Sequence, residues 1–345
     1  MTTNTVRPMF PHTVDSTIMS AFRSCPQKFY RQYMQHWKPR STSVHLVAGG
    51  AFASGIEAAR DSFYVQGLGS SESEANGLRA LIKHYGNYQA PASSAKSLDR
   101  MIGALEFYLS RYPLGADGAE PLTLAGEKRA IEYSFSEPLG VLHPVTGMPI
   151  LYTGRSDMLA RRAGGNYAYD EKTTSSLGDS WSRQWEMRSQ FTGYSWAAAR
   201  QGIHLAGTIV RGVSILKTKY ETMEVSTYRS RIELARWEAQ INRDLARMIS
   251  LWESGHWDYN LDGACTEYGG CIFVKICKAN DPDQWLPIEF TQKVWDPLER
   301  KEISIPEYEA KWGHDTGITV TPLVTLTEKE SSSLFADLQR GTNAK

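Results

Sequence analysis

Asp170 and Lys172 stand two positions apart in "AYDEKTTSS", the stretch from Ala168 to Ser176. The stretch has strand character, so Asp170 and Lys172 share a face and Glu171 projects oppositely. In the bland reading this is a surface hairpin with an ordinary Asp–Lys pair of little energetic weight. Asp157 opens a second reading. It follows "TGRS", and "AGGN" (Ala163 to Asn166) forms a tight turn between it and Asp170. A hairpin over that turn brings the two carboxylates together, where they repel unless a cation sits between them. Oxygen ligands of this kind suit Mg²⁺ or Mn²⁺. Lys172 beside such a cation is placed to orient a water or to stabilise charge on a phosphate, as metal-dependent phosphodiester hydrolysis requires.

The elements that must position these residues follow from periodicity and turn chemistry. Asp15 or Ser16 caps an N-terminal helix whose stripe is Ile18, Phe22, Phe29, Tyr30 and Tyr33, interrupted at Cys25-Pro26. A second helix, rich in alanine and carrying Glu57, is expected from about 50 to 65. "SSESEANG" reads as a loop or the start of a helix, and "PLGADGAEP" as a surface connection. "AIEYSFSEPL", "MPILYTGRSDMLARR" and "NYAYDEKT" read as strands, and "GTIVRGVSILK" as a buried strand. "WEMRSQFTGYSWAAARQG" is helical and ends at Gly202. Its Gln190 and Tyr194, at i and i+4, share one face and can donate hydrogen bonds near the strand tips. The clearest helix carries Leu234, Trp237, Ile241, Leu245, Met248 and Trp252 as a core stripe and stops at Gly255. This order predicts an α/β (α+β) fold: helices, a central sheet of strands from about 127 to 217, and further helices.

Lys plus Arg and Asp plus Glu each number 38, so the formal charge is zero and any nucleic-acid function needs a local basic patch. The N-terminus lacks the pattern of a secretory peptide and no stretch is apolar enough to span a membrane, which predicts a cytoplasmic protein. Structural disulfides are then not expected from the four cysteines. The chain has no H-E-x-x-H, no G-x-x-x-x-G-K-[ST] and no G-x-S-x-G, which argues against a zinc hydrolase, a motor ATPase and an esterase elbow.

G-R-x-D, then D-x-K, then Q-x-x-x-Y on the next helix resembles the PD-(D/E)XK nuclease superfamily. The nearer likeness is to its RecB-type exonuclease branch, which includes phage recombination exonucleases and CRISPR-associated spacer-processing nucleases. The resemblance implies a restriction-endonuclease-like core of mixed sheet flanked by helices. It makes Asp157 and Asp170 metal ligands, Lys172 the catalytic lysine, and Gln190 and Tyr194 the helix motif. Glu171 fills the variable position, with its backbone carbonyl as a ligand. It also implies a DNA substrate, single-stranded or at duplex ends, and a recombinase, annealing protein or helicase as the kind of partner. A structure- or site-specific endonuclease and a non-catalytic DNA-binding scaffold of the same fold are the alternatives.

The cysteines extend the likeness. Cys265, Cys271 and Cys277 have five residues between each and the next, and Cys25 lies far upstream. Iron–sulfur members of that branch have one cysteine before the core and three after it, so the resemblance implies a 4Fe–4S cluster stapling distant segments, with zinc as the alternative metal. Four unrelated buried thiols are the bland reading. The chain departs from the branch at "GGAFASGIEAAR": where G-x-x-x-H is common, Ser54 follows Gly50. Glu57 is the group that would replace the imidazole as a metal ligand, unless it is a solvated helix residue or the change has crippled catalysis. "GDSWSRQWEMR" (Gly178 to Arg188) either stacks bases on Trp181 and Trp185 or uses both to pack its helix on the sheet. We expect one nuclease domain over 1–345, with an N-terminal helical part (16–126), a core at about 127–220, a helical and cysteine-rich part (228–280), and a tail from 281 with no role assigned, like residues 61–126.

Overall fold

The computed structural model describes residues 8–261, 263–266 and 270–312. Strand β1 (Thr13–Val14) leads into helix α1 (Ser16–Ser24), whose N-cap Asp15 accepts from the Ile18 amide at 2.7 Å. Cys25-Pro26 breaks the helix as expected; α2 (Pro26–Phe29), one π-helical turn (Tyr30–Met34) and β2 (Trp37–Pro39) follow. Helices α3 (Val44–Tyr64), α4 (Ser70–Tyr85) and α5 (Leu98–Arg111) then form one layer. "SSESEANG" is the first half of α4, so this segment is helix rather than loop. Small residues permit the close α3–α4 contact: a Cβ on Gly77 would meet the Gly55 carbonyl oxygen at 2.7 Å.

The central sheet is built from β1, β3 (Glu120–Pro121), β4 (Ile131–Leu142), β5 (Pro149–Arg162), β6 (Gly165–Thr174), β7 (Gly207–Ile215) and β8 (Tyr220–Tyr228). It is mixed: β4–β5, β5–β6 and β7–β8 are antiparallel, β6–β7 and β1–β5 parallel. Ala163 and Gly164, at φ of 48° and 82°, make the expected tight turn between β5 and β6. Helices α6 (Asp179–Arg183), α7 (Ser189–Arg200) and α8 (Arg231–Ser254) cover the face opposite the α3–α5 layer. A Ser230–Glu233 capping box starts α8 and Gly255 ends it in the left-handed conformation. Its Trp237, Ile241, Leu245 and Met248 are buried in the main core. Trp181 and Trp185 are buried as well, edge to face with centroids 5.4 Å apart. Gly212 of β7 makes room for Trp181, whose ring a Cβ there would strike. Packing, not base stacking, accounts for both tryptophans.

Beyond α8 come α9 (Val274–Lys278), α10 (Pro282–Glu289), β9 (Phe290–Gln292), the β10–β11 hairpin (Val294–Asp296 and Lys301–Ile303) and α11 (Ile305–Trp312). Part of the tail therefore joins the fold: β9 pairs with β2. No helix among the described residues is long and apolar enough to cross a membrane.

Candidate active site

The site forms where two central strands part. β5 and β6 pair from Arg162↔Gly165 to Met158↔Tyr169, and the next pair in that register is Asp157 with Asp170. Like charges directly opposite one another are unfavourable, and pairing stops there. Past this point β6 continues alongside β7, while β5 takes β1 on the vacated edge. The fork leaves the Glu171 amide free of a β5 carbonyl partner, and it donates instead to Asp157 Oδ2 at 2.7 Å.

Alternation along β6 sorts the motif as the sequence predicts. Asp170 and Lys172 face α7, and their side chains form an ion pair. Asp170, 1% exposed, also accepts from Tyr194 Oη at 3.1 Å and Gln190 Nε2 at 3.4 Å; Gln190 donates in turn to Tyr194 Oη at 2.7 Å. Glu171 points the other way, into the α3–α5 layer, where Arg60 holds it in a bidentate ion pair and Tyr108 Oη donates to it at 2.9 Å. Burial alone would raise its pKa, but Arg60 prevails and lowers it to about 2. Desolvation, then the charges of Asp170, Glu171 and Glu132, push Asp157 well above the usual carboxylate range, against Lys172.

Glu132 is the acidic residue missed in the sequence. Between the pairs Ile131↔Met158 and Tyr133↔Ser156 it falls opposite Asp157, so the β4–β5 register was the signal that could have found it. Its backbone has φ of 50°, and its carboxylate pairs with Arg155. Burial, opposed by Arg155 and reinforced by Glu57, pushes it up to about 7. Glu57 lines a separate cavity of about 420 Å³ with Asp61, Glu127 and Glu132. Among the described residues no three His, Cys, Asp or Glu side chains are grouped as a metal site, so the expected set of Glu57, Asp157 and Asp170 is not assembled.

Asp157 and Asp170 nevertheless suit a hard cation: two opposed carboxylates, one made protonation-prone by burial and then by its acidic neighbours, beside a cleft of about 700 Å³. That cleft is lined by Lys172, Gln190 and Tyr194 together with Arg23, Lys28, Arg155, Arg183, Arg188 and Arg300, against only Asp15 and Glu186 among acidic residues. The local basic patch that a neutral chain requires is here.

The four cysteines are free thiols, Cys25 buried and Cys277 exposed. Partial desolvation, then the charges of Cys271, Cys25 and Cys265, raise the Cys277 thiol against Arg31, so the four lie within electrostatic reach. They are not gathered around one point. Distant segments are instead held by non-covalent contacts: Gln27 N donates to the Asp258 carbonyl at 3.0 Å, Asn260 to the Ser24 carbonyl at 2.8 Å, and Trp257 stacks on Tyr30. The cluster-stapled core that the resemblance implies is therefore not shown by this arrangement of the thiols.

The sequence profile of the PD-(D/E)XK nuclease superfamily matches residues 16–278. The chain belongs to that superfamily. Among solved structures it is similar to a proposed exonuclease from Eubacterium rectale (12% identity, 72% of this chain and 85% of that one, TM-score 0.45). It is also similar to LHK-Exo in complex with dAMP (14% identity, 59% and 94%, TM-score 0.22). No curated protein matches.

Proposed function

We propose that the protein is a Mg²⁺- or Mn²⁺-dependent deoxyribonuclease, acting as an exonuclease on DNA ends in recombination or repair. The observation that carries the reading is the basic cleft around the Asp170–Lys172 pair in a chain of zero net charge. Asp157 and Asp170 would hold the cation, with the Glu171 carbonyl as a further oxygen ligand; bound there, the metal would supply Lewis-acid polarisation of the phosphate and activation of water. Lys172 stabilises the charge that builds on the scissile phosphate. Gln190 and Tyr194 fix the Asp170 carboxylate through their hydrogen bonds. The cleft arginines hold the strand by its phosphates. Glu57 acts on the site through Glu132 rather than as a ligand. Cys25, Cys265, Cys271 and Cys277 enter the proposal as ligands of a 4Fe–4S cluster, or of zinc, on donor type and number alone, and no step of hydrolysis passes through them. The DNA-end reading rests on the RecB-type Q-x-x-x-Y motif, and a recombinase, annealing protein or helicase is the partner it suits.

End-labelled linear DNA and covalently closed circular DNA, each incubated with Mg²⁺ or Mn²⁺, test the reading. Linear DNA should be consumed from its ends and circles spared. Asp170→Ala and Lys172→Ala should each lose at least about 10²–10³ in rate. Cleavage of circles would favour an endonuclease. Absence of cleavage with either metal would leave a DNA-binding scaffold.

A further inference from the structure

Arg300 lies outside the span matched by the family, yet it lines the catalytic cleft. It ends the turn of the β10–β11 hairpin, which pairs Val294↔Ile303 through Asp296↔Lys301. The turn is built rigidly. Buried Asp296 accepts from the Leu298 and Glu299 amides at 3.0 and 3.3 Å, and Lys311 pairs with it at 2.6 Å. Trp295 Nε1 donates to Asp15 Oδ2 at 2.8 Å, tying the hairpin to the end of β1 at the fork in the sheet.

Two features of Arg300 ask for an explanation. Its backbone sits at φ of 51°, a region that favours glycine and burdens a bulky residue, yet an arginine stands there. Its guanidinium makes one long hydrogen bond, from Nη1 to the Arg155 carbonyl at 3.4 Å, and has no carboxylate within ion-pair distance among the described residues. Most of its donors are thus uncommitted at the cleft wall, and its charge is felt at Asp15, Glu132 and Tyr194, on three different elements.

We infer that Arg300 is a substrate-contacting residue that clamps a non-bridging phosphate oxygen of the DNA strand, supplied by a hairpin outside the nuclease-family span. The inference rests on the nuclease reading above. An exposed, unpaired guanidinium on a rigid turn is preorganised for a bidentate phosphate contact, which a lysine cannot reproduce. The hairpin then closes the cleft as a fixed wall.

The test uses full-length protein and fluorescein-labelled DNA. Binding is measured in EDTA over a salt series, and single-turnover cleavage is started with Mg²⁺. Arg300→Ala should lower the slope of log K against log salt by about 0.7–0.9, one phosphate contact, and slow cleavage at least about tenfold. Arg300→Lys should keep the slope and lose part of the rate. Lys219→Ala, on the exposed β7–β8 turn and paired with Glu221, should change neither. Arg300→Gly relieves the backbone and should match Arg300→Ala in slope and rate while leaving Tm unchanged or raised. A parent-like slope and rate in Arg300→Ala would overturn the inference, as would a loss that tracks a fall in Tm. A parent that cleaves with Mg²⁺ beside such an Arg300→Ala result leaves the nuclease reading standing. A parent that never cleaves removes that reading, whereas the salt slope in EDTA still reports the contact.

Discussion

Asp157 carries the conflict on which the site is built. Its carboxyl is desolvated and faces Asp170 and Glu132, so without metal the folded chain binds a proton there more tightly than the unfolded chain does. The sign follows: stability contributed by that proton is present at acid pH and lost as pH rises through the raised folded value. A divalent cation bound there, as proposed, would replace the proton at neutral pH and restore stability by mass action. Metal-free Asp157→Asn should therefore melt higher than the metal-free parent at pH 7.5, by about 2 °C for each kcal/mol of relieved repulsion. It should also lose the Tm rise that Mg²⁺ or Mn²⁺ gives the parent. A metal-free Asn variant that melts lower than the parent would refute the account. That Asp170 and Lys172 share one face of β6, and Gln190 and Tyr194 one face of α7, was legible in the sequence because strand and helix periods fix which side chains face together, whereas their grouping with Asp157 as a site came from the family resemblance. Glu132 was not, because its place opposite Asp157 depends on a register set across a hairpin.

At the scale of elements, helix α3 serves the site through a residue that alternation turns away from it. Glu171 and Arg60 form a buried ion pair beneath the catalytic face, and Arg211 of β7 extends the network to Asp117 at 2.7 Å and Glu224 at 2.9 Å. The pair anchors the backbone between Asp170 and Lys172, where the Glu171 amide holds Asp157. Arg60→Ala should cost about 3–5 kcal/mol by leaving a buried carboxylate unpaired, whereas Arg60→Met with Glu171→Leu should recover most of it. The Glu171 contribution is present above the ordinary value of 4.5 and lost as pH falls toward about 2, so the double variant should lack that acid-induced loss. Urea titrations across pH 2–6 measure both, and equal stability of Arg60→Ala and parent at pH 7 would refute the role. The helices and strands with strong patterns or caps, α8 and β4 to β7, were readable. The polar start of α4 left loop and helix entry open in the sequence, since its helicity comes from packing Gly77 and Leu81 against α3 and α5.

At the scale of the whole fold, the described N-terminal and C-terminal segments meet beside the fork in the sheet. β1 enters the central sheet next to β5, β2 pairs with β9, and Cys271 packs with Trp37, Phe273 and Phe290 in a small separate core. Cys25 and the later three cysteines thus belong to segments already brought together by hydrogen bonds and stacking. A metal bound by all four thiolates would close a loop of about 240 residues, and loop-closure entropy makes such a link stabilising even where contacts already exist. Protein purified without oxygen should then be brown, with about four irons and acid-labile sulfide per chain. Cys25→Ser should lower Tm together with iron content. One zinc per chain and no iron would keep the link and reject the cluster. Metal-free protein in which Cys25→Ser melts like the parent would mean that the Trp257–Tyr30 stack and the β2–β9 pair hold these segments unaided.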